Sequence, residues 1–291
     1  MAEATFAGAI GILHPGAMGA SVAAALAGRG HRVCWASEGR SAASRARAEA
    51  AGLEERTTVE ELAEQSELLI SVCPPAAATD LALQVASTGF AGTYLDANAV
   101  APARTRAIGE AVRDAGARAF VDGGIVGPPG WKAGSTRLLL SGEAAEGVAA
   151  LFAGSPLEAI AIGKEVGSAS ALKMAYAGYT KGTSALLAAI LALAEHEGVG
   201  DALRAEWERS QPDLAKSAEA RAFGSAAKGW RFAGEMEEIA DAFAAATLPD
   251  GFHRAAAEVF RRLAEFKDVP APPALEAALA ALLREPAQAP R

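Results

Sequence analysis

The chain has 291 residues and a mass of 29.5 kDa, a length that favours two domains or one large one. Apolar residues make up 51% and charged residues 21% of the sequence, which excludes a disordered chain and favours a globular one. The 27 basic and 35 acidic residues give a net charge of −8, which argues against nucleic acid or an anionic membrane as the partner.

Short apolar runs alternate with helical patterns through the first half of the chain. We predict strands at residues 8–13, 32–36, 67–73, 93–97, 118–122 and 136–141, with a weaker one at 53–57. Helical patterns cover residues 17–29, 41–51, 58–65, 75–88, 102–115 and 143–152. This alternation predicts an α/β domain, with a doubly wound parallel sheet covered by helices on both faces.

After about residue 165 the sequence predicts helices only. A long helix without proline runs from Ser168 to about His196, and its apolar C-terminal half should be buried within the domain or between subunits. Further helices are predicted at residues 201–209, 212–222, 229–246, 249–266 and 271–284. We therefore predict a sheet domain over residues 1–165 and an all-helical domain over residues 166–291.

The first predicted strand leads through a glycine-bearing turn into a helix. In a G-x-G-x-x-G fingerprint the second glycine admits a pyrophosphate and the third lets the helix pack on the strand. Gly16 and Gly19 occupy those two places, while His14 stands at the first, where unusual dihedral angles are expected. The context predicts a Rossmann domain that holds the dinucleotide on the turn formed by His14, Pro15, Gly16, Ala17, Met18 and Gly19.

The end of the second predicted strand bears on the choice between NAD and NADP. An acidic residue there binds the ribose of NAD, whereas arginine and small polar groups accommodate the 2′-phosphate of NADP. Ser37 occupies the usual acidic place, and Arg40 and Ser41 could bind a phosphate. Glu38 would oppose a phosphate unless it is turned to solvent. We predict NADP as the cofactor, with NAD as the alternative.

Four segments carry a family resemblance: HPGAMGASVAAALAGRGHRV, LDANAVAP, FVDGGIVGPPGWKAGSTRLLLSG and VGSASALKMAYAGYTKG. They are similar to the cofactor, nicotinamide-side, substrate and catalytic motifs of the β-hydroxyacid dehydrogenases, which include 3-hydroxyisobutyrate and 6-phosphogluconate dehydrogenases and are related to the imine reductases. The resemblance implies an N-terminal Rossmann domain and a helical C-terminal domain for substrate binding and dimerisation. It also implies an active site between the two domains and a homodimer joined by the helical ones.

The resemblance assigns Lys173 to the position of the family's catalytic lysine, and Lys228 in KGWRFA to a lysine near the nicotinamide. Hydride transfer to a carbonyl leaves an alkoxide that must be protonated, and a lysine with a lowered pKa can serve as the acid and, in reverse, as the base. The substrate motif contributes Asp122, Gly123, Gly124 and Ile125, at the end of a strand where ligands of open sheets bind.

Other strand ends complete the predicted site. Asn98 could hydrogen-bond the nicotinamide side or simply form an Asx turn, and the run Cys73, Pro74 and Pro75 is expected to line the cofactor. We interpret the Cys73 thiol as a buried filler rather than a nucleophile. With two cysteines and scattered histidines we predict no metal site, and we expect His253 at a solvated helix start.

Two departures from the family pattern affect the substrate. The family asparagine one turn after the lysine is Ala177 here, and the serine of the substrate motif is Val126, followed by Gly127 and Pro128 in place of a glycine pair. Tyr176 could supply the missing donor, or it could be a core residue with a wet hydroxyl.

The leading hypothesis is an NAD(P)-dependent oxidoreductase that acts on a small hydroxy acid or carbonyl compound, with Lys173 as general acid/base. The alternatives are an imine reductase, against which Lys173 counts, and a non-catalytic NADP-binding sensor. Because the N-terminus lacks the basic start of a signal peptide, we expect a cytoplasmic location.

Overall fold

The computed structural model describes residues 8–267 and 269–284. The strands are β1 (Ala9–Ile12), β2 (Val33–Ala36), β3 (Glu54–Arg56), β4 (Ser66–Ser71), β5 (Thr93–Asp96), β6 (Ala119–Val126), β7 (Arg137–Ser141) and β8 (Glu158–Gly163). The helices are α1 (Ala17–Ala27), α2 (Ala42–Ala50), α3 (Val59–Gln65), α4 (Ala78–Ser87), α5 (Pro102–Asp114), α6 (Ala145–Leu151), α7 (Ser168–His196), α8 (Gly200–Ser210), α9 (Pro212–Phe223), α10 (Gly229–Ala245), α11 (Gly251–Arg262) and α12 (Leu275–Leu283). Short 3₁₀ turns lie at Pro75–Ala77, Ala226–Lys228 and Leu263–Phe266.

The strands form one eight-stranded sheet in the order β3-β2-β1-β4-β5-β6-β7-β8. Every neighbouring pair is parallel except β6 with β7. The strand order reverses between β1 and β4, and ligands of open α/β sheets bind at the carboxyl ends of the strands beside such a switch point. The predicted Rossmann fold class, with helices after the sheet, is confirmed.

The sheet differs from the prediction at β6, which was expected to end at Asp122. The strand continues to Val126 because Gly123, Gly124 and Ile125 pair with β7. The chain returns through residues 127–136 without a helix, and such a direct return produces an antiparallel pair. The predicted parallel sheet thus contains one antiparallel pair, formed by β6 and β7.

The edge strand β8 was not predicted. Its sequence EAIAIG alternates small and medium residues and stays partly exposed at the edge of the sheet, so its apolar signal is weak. It pairs in parallel with β7 after the crossover through α6. The weak prediction at residues 53–57, in contrast, is confirmed as β3.

The core of the sheet lies on both faces. Ile10 and Leu68 pack in one apolar cluster, whereas Ala9 and Leu69, their chain neighbours, pack in the other. Successive side chains of a strand point to opposite faces, so both clusters require strands that are apolar throughout. This explains the continuous apolar runs of the sequence.

The chain divides into two compact units after Met174, within α7. The prediction placed the division at 165/166, before this helix. The first turns of α7 belong with the sheet because the N–H groups of Ala169 and Ser170 are hydrogen-bonded to Ser141 and Asp122. The remainder of α7 and the helices α8–α12 form the second unit.

Helix α7 has the length and hydropathy that could cross a membrane, but half of its most apolar 18-residue window is buried inside the protein. Apolar core helices meet the same test.

In the second unit, a Cβ at Gly178 would lie 3.4 Å from Nε2 of His253, and one at Gly182 would lie 3.1 Å from Cε1 of Phe252. His253 is thus buried against α7, and the expectation of a solvated position is wrong.

Candidate active site

The turn between β1 and α1 brings the chain close to itself at Gly19. A Cβ at this position would lie 2.2 Å from the carbonyl oxygen of His14, so the tight turn requires glycine. Gly16 caps α1 without a side-chain hydrogen bond, and the first turn of the helix carries no acidic residue. The first N–H groups of a helix lack intrahelical partners and attract anions. The turn therefore fits the pyrophosphate of a dinucleotide.

Two arginines that follow β2 contact this turn. Arg40 approaches Nδ1 of His14 with Nη1 at 2.7 Å and donates from Nη2 to the Leu13 carbonyl at 3.1 Å. Arg47 donates from Nε to the Pro15 carbonyl at 3.2 Å. Burial, followed by the charges of Arg40 and Arg47, lowers the pKa of His14, which favours a neutral imidazole that accepts from Arg40. Positive charge thus lies beside the predicted anion site.

His14 was expected to need unusual dihedral angles at the first fingerprint position. Among the non-glycine residues of the described ranges, only Thr247 has a positive φ. The backbone at His14 is therefore ordinary, and that expectation is wrong. The imidazole beside Gly16, where a Cβ would lie 3.3 Å from Cδ2, occupies the space that a glycine would have left open.

Ser37 and Glu38, which follow β2, differ in their exposure to solvent. Ser37 is buried, with its N–H donating to the Arg56 carbonyl and its own carbonyl accepting from Arg45. Glu38 is exposed. The acidic side chain that would oppose a phosphate therefore belongs to a solvent-facing residue.

Asn98 joins the carboxyl ends of β4 and β5. Its Oδ1 accepts from the N–H of Cys73 at 2.6 Å, and its Nδ2 donates to Oγ of Ser71 at 2.9 Å. Its own N–H donates to Oδ1 of Asp96 at 2.9 Å. Both ends of this buried amide are thus engaged within the protein, and the residue holds Cys73 in position instead of forming an Asx turn with its own side chain.

The groups around Asn98 are shielded from water. Burial raises the pKa of Asp96 to about 7, and burial raises the pKa of the Cys73 thiol to about 11. Within the described part of the chain, Oδ2 of Asp96 and the hydroxyl of Tyr94 are buried without a hydrogen-bond partner. A thiol with such a pKa stays neutral near pH 7, which agrees with a filling role for Cys73.

Asp122 anchors the start of α7 to the sheet. Its Oδ2 accepts from the N–H of Gly167 at 2.9 Å, from the N–H of Ser170 at 3.0 Å and from the hydroxyl of Ser141 at 3.0 Å. Its Oδ1 accepts from the Ser170 hydroxyl at 2.6 Å. A carboxylate at a helix N-terminus is favoured by the helix dipole and satisfies N–H groups there. Asp122, predicted as a substrate residue, therefore fixes the helix that carries Lys173.

Lys173 is half-buried on α7, and its Nζ donates to the carbonyl oxygen of Ile125 at 2.5 Å. Gly124 makes this approach possible. A Cβ on Gly124 would lie 2.8 Å from the Ala169 carbonyl oxygen and 3.1 Å from Cβ of Lys173. The sequence motif thus brings the lysine and the substrate strand together within the first unit.

Glycine is required at position 123 for a different reason. A Cβ there would lie 3.1 Å from Cα of Ala97, beyond the end of the neighbouring strand β5. The glycine pair was predicted to let a substrate approach the backbone. In the protein, Gly123 instead allows the chain beyond β5 to pack closely against β6, and Gly124 allows α7 to do so.

The two departures from the family pattern lie in different units. Val126 is buried in a small apolar cluster with Leu139 and Ala169. Valine contributes its methyl groups to this cluster, which the hydroxyl of the family serine would not do. Ala177 is buried on α7 in the second unit. Tyr176 and Lys228 also belong to the second unit, and both are exposed there.

Several buried polar residues of the site were not predicted. Ser71, Asp96 and Ser141 each end a buried strand, and Ser170 lies in the first turn of α7. The sequence signal that could have identified the three strand residues is a polar residue at the end of an apolar run. No group of three metal-ligating side chains occurs in the ranges that the structure covers.

Comparison with known families places these features in context. Residues 8–154 match the NAD binding domain of 6-phosphogluconate dehydrogenase, and residues 194–263 match DUF1932, a domain of unknown function. No curated protein matches the chain in sequence.

Solved structures share the fold over nearly the whole chain. The conserved protein MTH1747, of unknown function and similar in structure to 3-hydroxyacid dehydrogenases, is 29% identical over 88% of this chain and 97% of its own, with a TM-score of 0.67. The 3-hydroxyisobutyrate dehydrogenase of Mycobacterium tuberculosis, solved with L-serine, is 19% identical over 95% of this chain and 99% of its own, with a TM-score of 0.67. A reductive aminase from Aspergillus terreus, in complex with NADPH and ethyl-5-oxohexanoate, is 21% identical over 89% and 94%, with a TM-score of 0.54.

Proposed function

Since the chain belongs to the β-hydroxyacid dehydrogenase family of NAD(P)-binding proteins, we propose that it transfers hydride between a nicotinamide cofactor and a small hydroxy acid or the matching carbonyl compound. The observation that carries the proposal is the contact between Lys173 and the Ile125 carbonyl. It holds an ionisable amine at the carboxyl-terminal part of β6, on the side of the sheet where ligands of this fold bind.

The reaction needs a proton as well as a hydride. The reduced nicotinamide, when bound, supplies the hydride, and the turn from His14 to Gly19 would hold its pyrophosphate. Lys173 then donates a proton from Nζ to the oxygen of the reduced carbonyl, and in the oxidative direction it removes the hydroxyl proton. Asp122 keeps the start of α7 fixed, so Nζ is presented from a rigid element.

NADP is the proposed cofactor. The end of β2 supports this choice because Ser37 stands in the usual acidic place and Arg40 follows it, with an Nε that lacks a partner among the described residues. The exposed position of Glu38 removes the objection that a carboxylate would repel a 2′-phosphate. NAD stays the alternative, and the ratio of the two dissociation constants decides between them.

A C=N reductase is the second candidate. The apolar environment of Val126 and the buried Ala177 favour it, because neither position offers the polar group that would orient a hydroxy acid. Tyr176 would have to provide the substitute donor for a hydroxy acid. A non-catalytic sensor that binds NADP is the third candidate, and it rests on the same two missing groups.

One experiment separates the three candidates. Purified protein with NADPH or NADH is tested on a panel of 3-hydroxy acids, the matching oxo acids and cyclic imines, beside the variant Lys173→Ala. We expect turnover of an oxo acid that falls by about two to four orders of magnitude in the variant, as general acid/base catalysis predicts, with NADPH affinity retained. Turnover of imines alone would favour the C=N reductase. Binding of NADPH without turnover on any substrate would favour the sensor.

We also propose that the protein is a homodimer through its helical unit. On α7, Tyr179, Leu186 and Leu193 follow one another at seven-residue spacing and are 69%, 44% and 61% exposed. Apolar residues at this spacing form one face of a helix, and such a face packs against another helix in coiled coils. A second copy presents the same face, so a two-fold pair would cover both.

Sedimentation velocity tests the dimer. We expect the double variant Leu186→Glu, Leu193→Glu to sediment as a monomer, whereas Leu83→Glu, at a 50% exposed position of α4, sediments like the parent. A monomeric parent would refute the proposal.

The net charge of −8 supports a small molecule rather than nucleic acid or membrane as the other partner. We also propose a cytoplasmic location.

A further inference from the structure

A pocket lies in the first unit along α1, on the part of the helix that follows the glycine turn. It is a pocket of about 280 Å³ whose floor includes Ala24, Ala25 and Gly28 of α1 and its C-terminal cap. The fingerprint turn lies at the other end of this 11-residue helix, which is about 16 Å long at 1.5 Å per residue. The pocket therefore runs along α1 from Ser21 to Gly28, whereas the proposed cofactor turn is formed by residues 14–19.

Arg29 provides a charge in this pocket. Its guanidinium lies against the backbone of Gly154, where a Cβ would be 3.5 Å from Cζ. Across the described ranges no ion pair or side-chain hydrogen bond involves Arg29, whereas Arg32 and Arg45 of the same unit pair with Glu54 and Glu55. A guanidinium offers five donors in a planar fork that matches a carboxylate. Its donors are thus available to an anion in the pocket.

Trp131 provides a flat apolar surface beside that charge. It lines the pocket and is 57% exposed. The preceding residue is fixed, because the N–H of Gly130 donates to the buried hydroxyl of Ser21 at 2.9 Å. An exposed indole next to an anchored residue can receive a second ring without a large loss of backbone entropy. Gly28 and Gly154 leave the space beside it free of side chains.

We propose that this pocket binds a small planar carboxylic acid, with the carboxylate on Arg29 and the ring stacked on Trp131. The volume sets the size, since it lies below the 300–1,000 Å³ or so of drug-sized sites and suits an acid with one or two rings. A carboxylate alone would bind a solvent-exposed arginine weakly, and a ring alone would lack orientation. The two groups together select an aromatic acid, and this selection does not depend on the proposed dehydrogenase activity.

The test uses benzoate, salicylate and indole-3-acetate as probes. Each is titrated calorimetrically into the full-length protein, alone and with NADPH in excess, so that binding to the pocket is distinguished from binding to the proposed cofactor site. We expect saturable binding of at least one acid, with affinity reduced about tenfold or more in Arg29→Gln and in Trp131→Ala, that is by about 1.4 kcal/mol. Benzyl alcohol, which lacks the carboxylate, should bind the parent no better than benzoate binds Arg29→Gln.

Matched controls distinguish the pocket from the rest of the surface. Arg118→Gln removes an exposed arginine elsewhere in the same unit, and Trp230→Phe changes an exposed tryptophan of the other unit. Both should bind the acids like the parent. Ala24→Leu, which fills the floor, should abolish binding while circular dichroism and NADPH affinity stay unchanged. Absence of binding by all three acids, or binding that survives both pocket variants, would overturn the proposal.

Discussion

The two units of the molecule hold their buried polar groups differently. In the sheet unit, both oxygens of Asp122 accept hydrogen bonds and Asn98 is engaged at its amide and its backbone. In the helical unit, the buried Nδ1 of His253 has no partner among the described residues, and Lys181 is held by one carboxylate, that of Glu235. Unpartnered buried atoms occur in both units, since Nε of Arg40, the hydroxyl of Tyr94 and Oδ2 of Asp96 also lack a partner among the described residues. The sheet unit differs because Asp122 and Asn98 join its strand ends by several directed hydrogen bonds. This difference explains why sequence motifs are dense in one unit and sparse in the other.

Asp122→Ala should have the largest effect on stability. The change removes the acceptor for two N–H groups and two hydroxyls in a fully buried place, and unsatisfied buried donors cost about 1–3 kcal/mol each before relaxation. We expect the free energy of unfolding of the sheet unit to fall by about 3–5 kcal/mol in urea titrations. Asp114→Ala, at an exposed helix end, is the control and should change it little. A loss below about 1 kcal/mol would contradict the anchoring role of Asp122.

Gly19→Ala tests the close approach at the glycine turn. A methyl group placed 2.2 Å from the His14 carbonyl oxygen forces the helix and the turn apart, with a cost of about 1–3 kcal/mol. Because the same turn is the proposed pyrophosphate site, NADPH affinity should fall together with stability. Fluorescence quenching by NADPH and urea unfolding measure the two effects. An unchanged dissociation constant would separate the turn from the cofactor.

The sequence predicted the sheet unit well because its close backbone approaches leave recognisable residue types in motifs. Gly19 and Gly124 are required where the backbone approaches itself or α7, and such requirements leave a residue type at a fixed place in a motif. The antiparallel return from β6 to β7 was missed because β6 is glycine-rich there, and its pairing with β7 is set by the partner strand. The burial of His253 was also missed, since it depends on Gly178 and Gly182 more than seventy residues earlier in the chain. Long-range packing of this kind leaves no local pattern.

Asp96→Asn tests the pH response of the sheet unit. Burial raises the pKa of Asp96 to about 7, above its value of about 3.9 in the unfolded chain. A raised pKa means that the folded state holds a proton which the unfolded state releases, so stability is full at low pH and is lost as the pH rises through about 7. We expect the parent to lose stability between about pH 4 and about pH 7 more steeply than Asp96→Asn, as measured by urea unfolding. Equal slopes for the two proteins would contradict the burial of the charge.

His253→Gln should reveal the opposite slope in the helical unit. Burial lowers the pKa of His253 below its ordinary value near 6.5, between the rings of Phe243 and Phe252. The unfolded chain therefore takes up the proton first, and stability is lost as the pH falls below about 6.5. Unfolding of the parent at pH 7.5 and 5.5 should differ by more than that of the variant. The exposed His196→Gln serves as control and should keep the slope of the parent.

Gly234→Ala should have the smallest effect and the opposite sign to Gly19→Ala. Gly234 lies within α10, and a Cβ there would meet nothing within 4 Å. Alanine loses less backbone entropy than glycine on entering a helix, so the helical unit should gain about 0.5–1 kcal/mol. Thermal unfolding of the two glycine variants side by side measures the contrast. A loss of stability in Gly234→Ala would mean that the helical unit is packed as tightly at its glycines as the sheet unit, and the difference between the two units would then rest on hydrogen bonds alone.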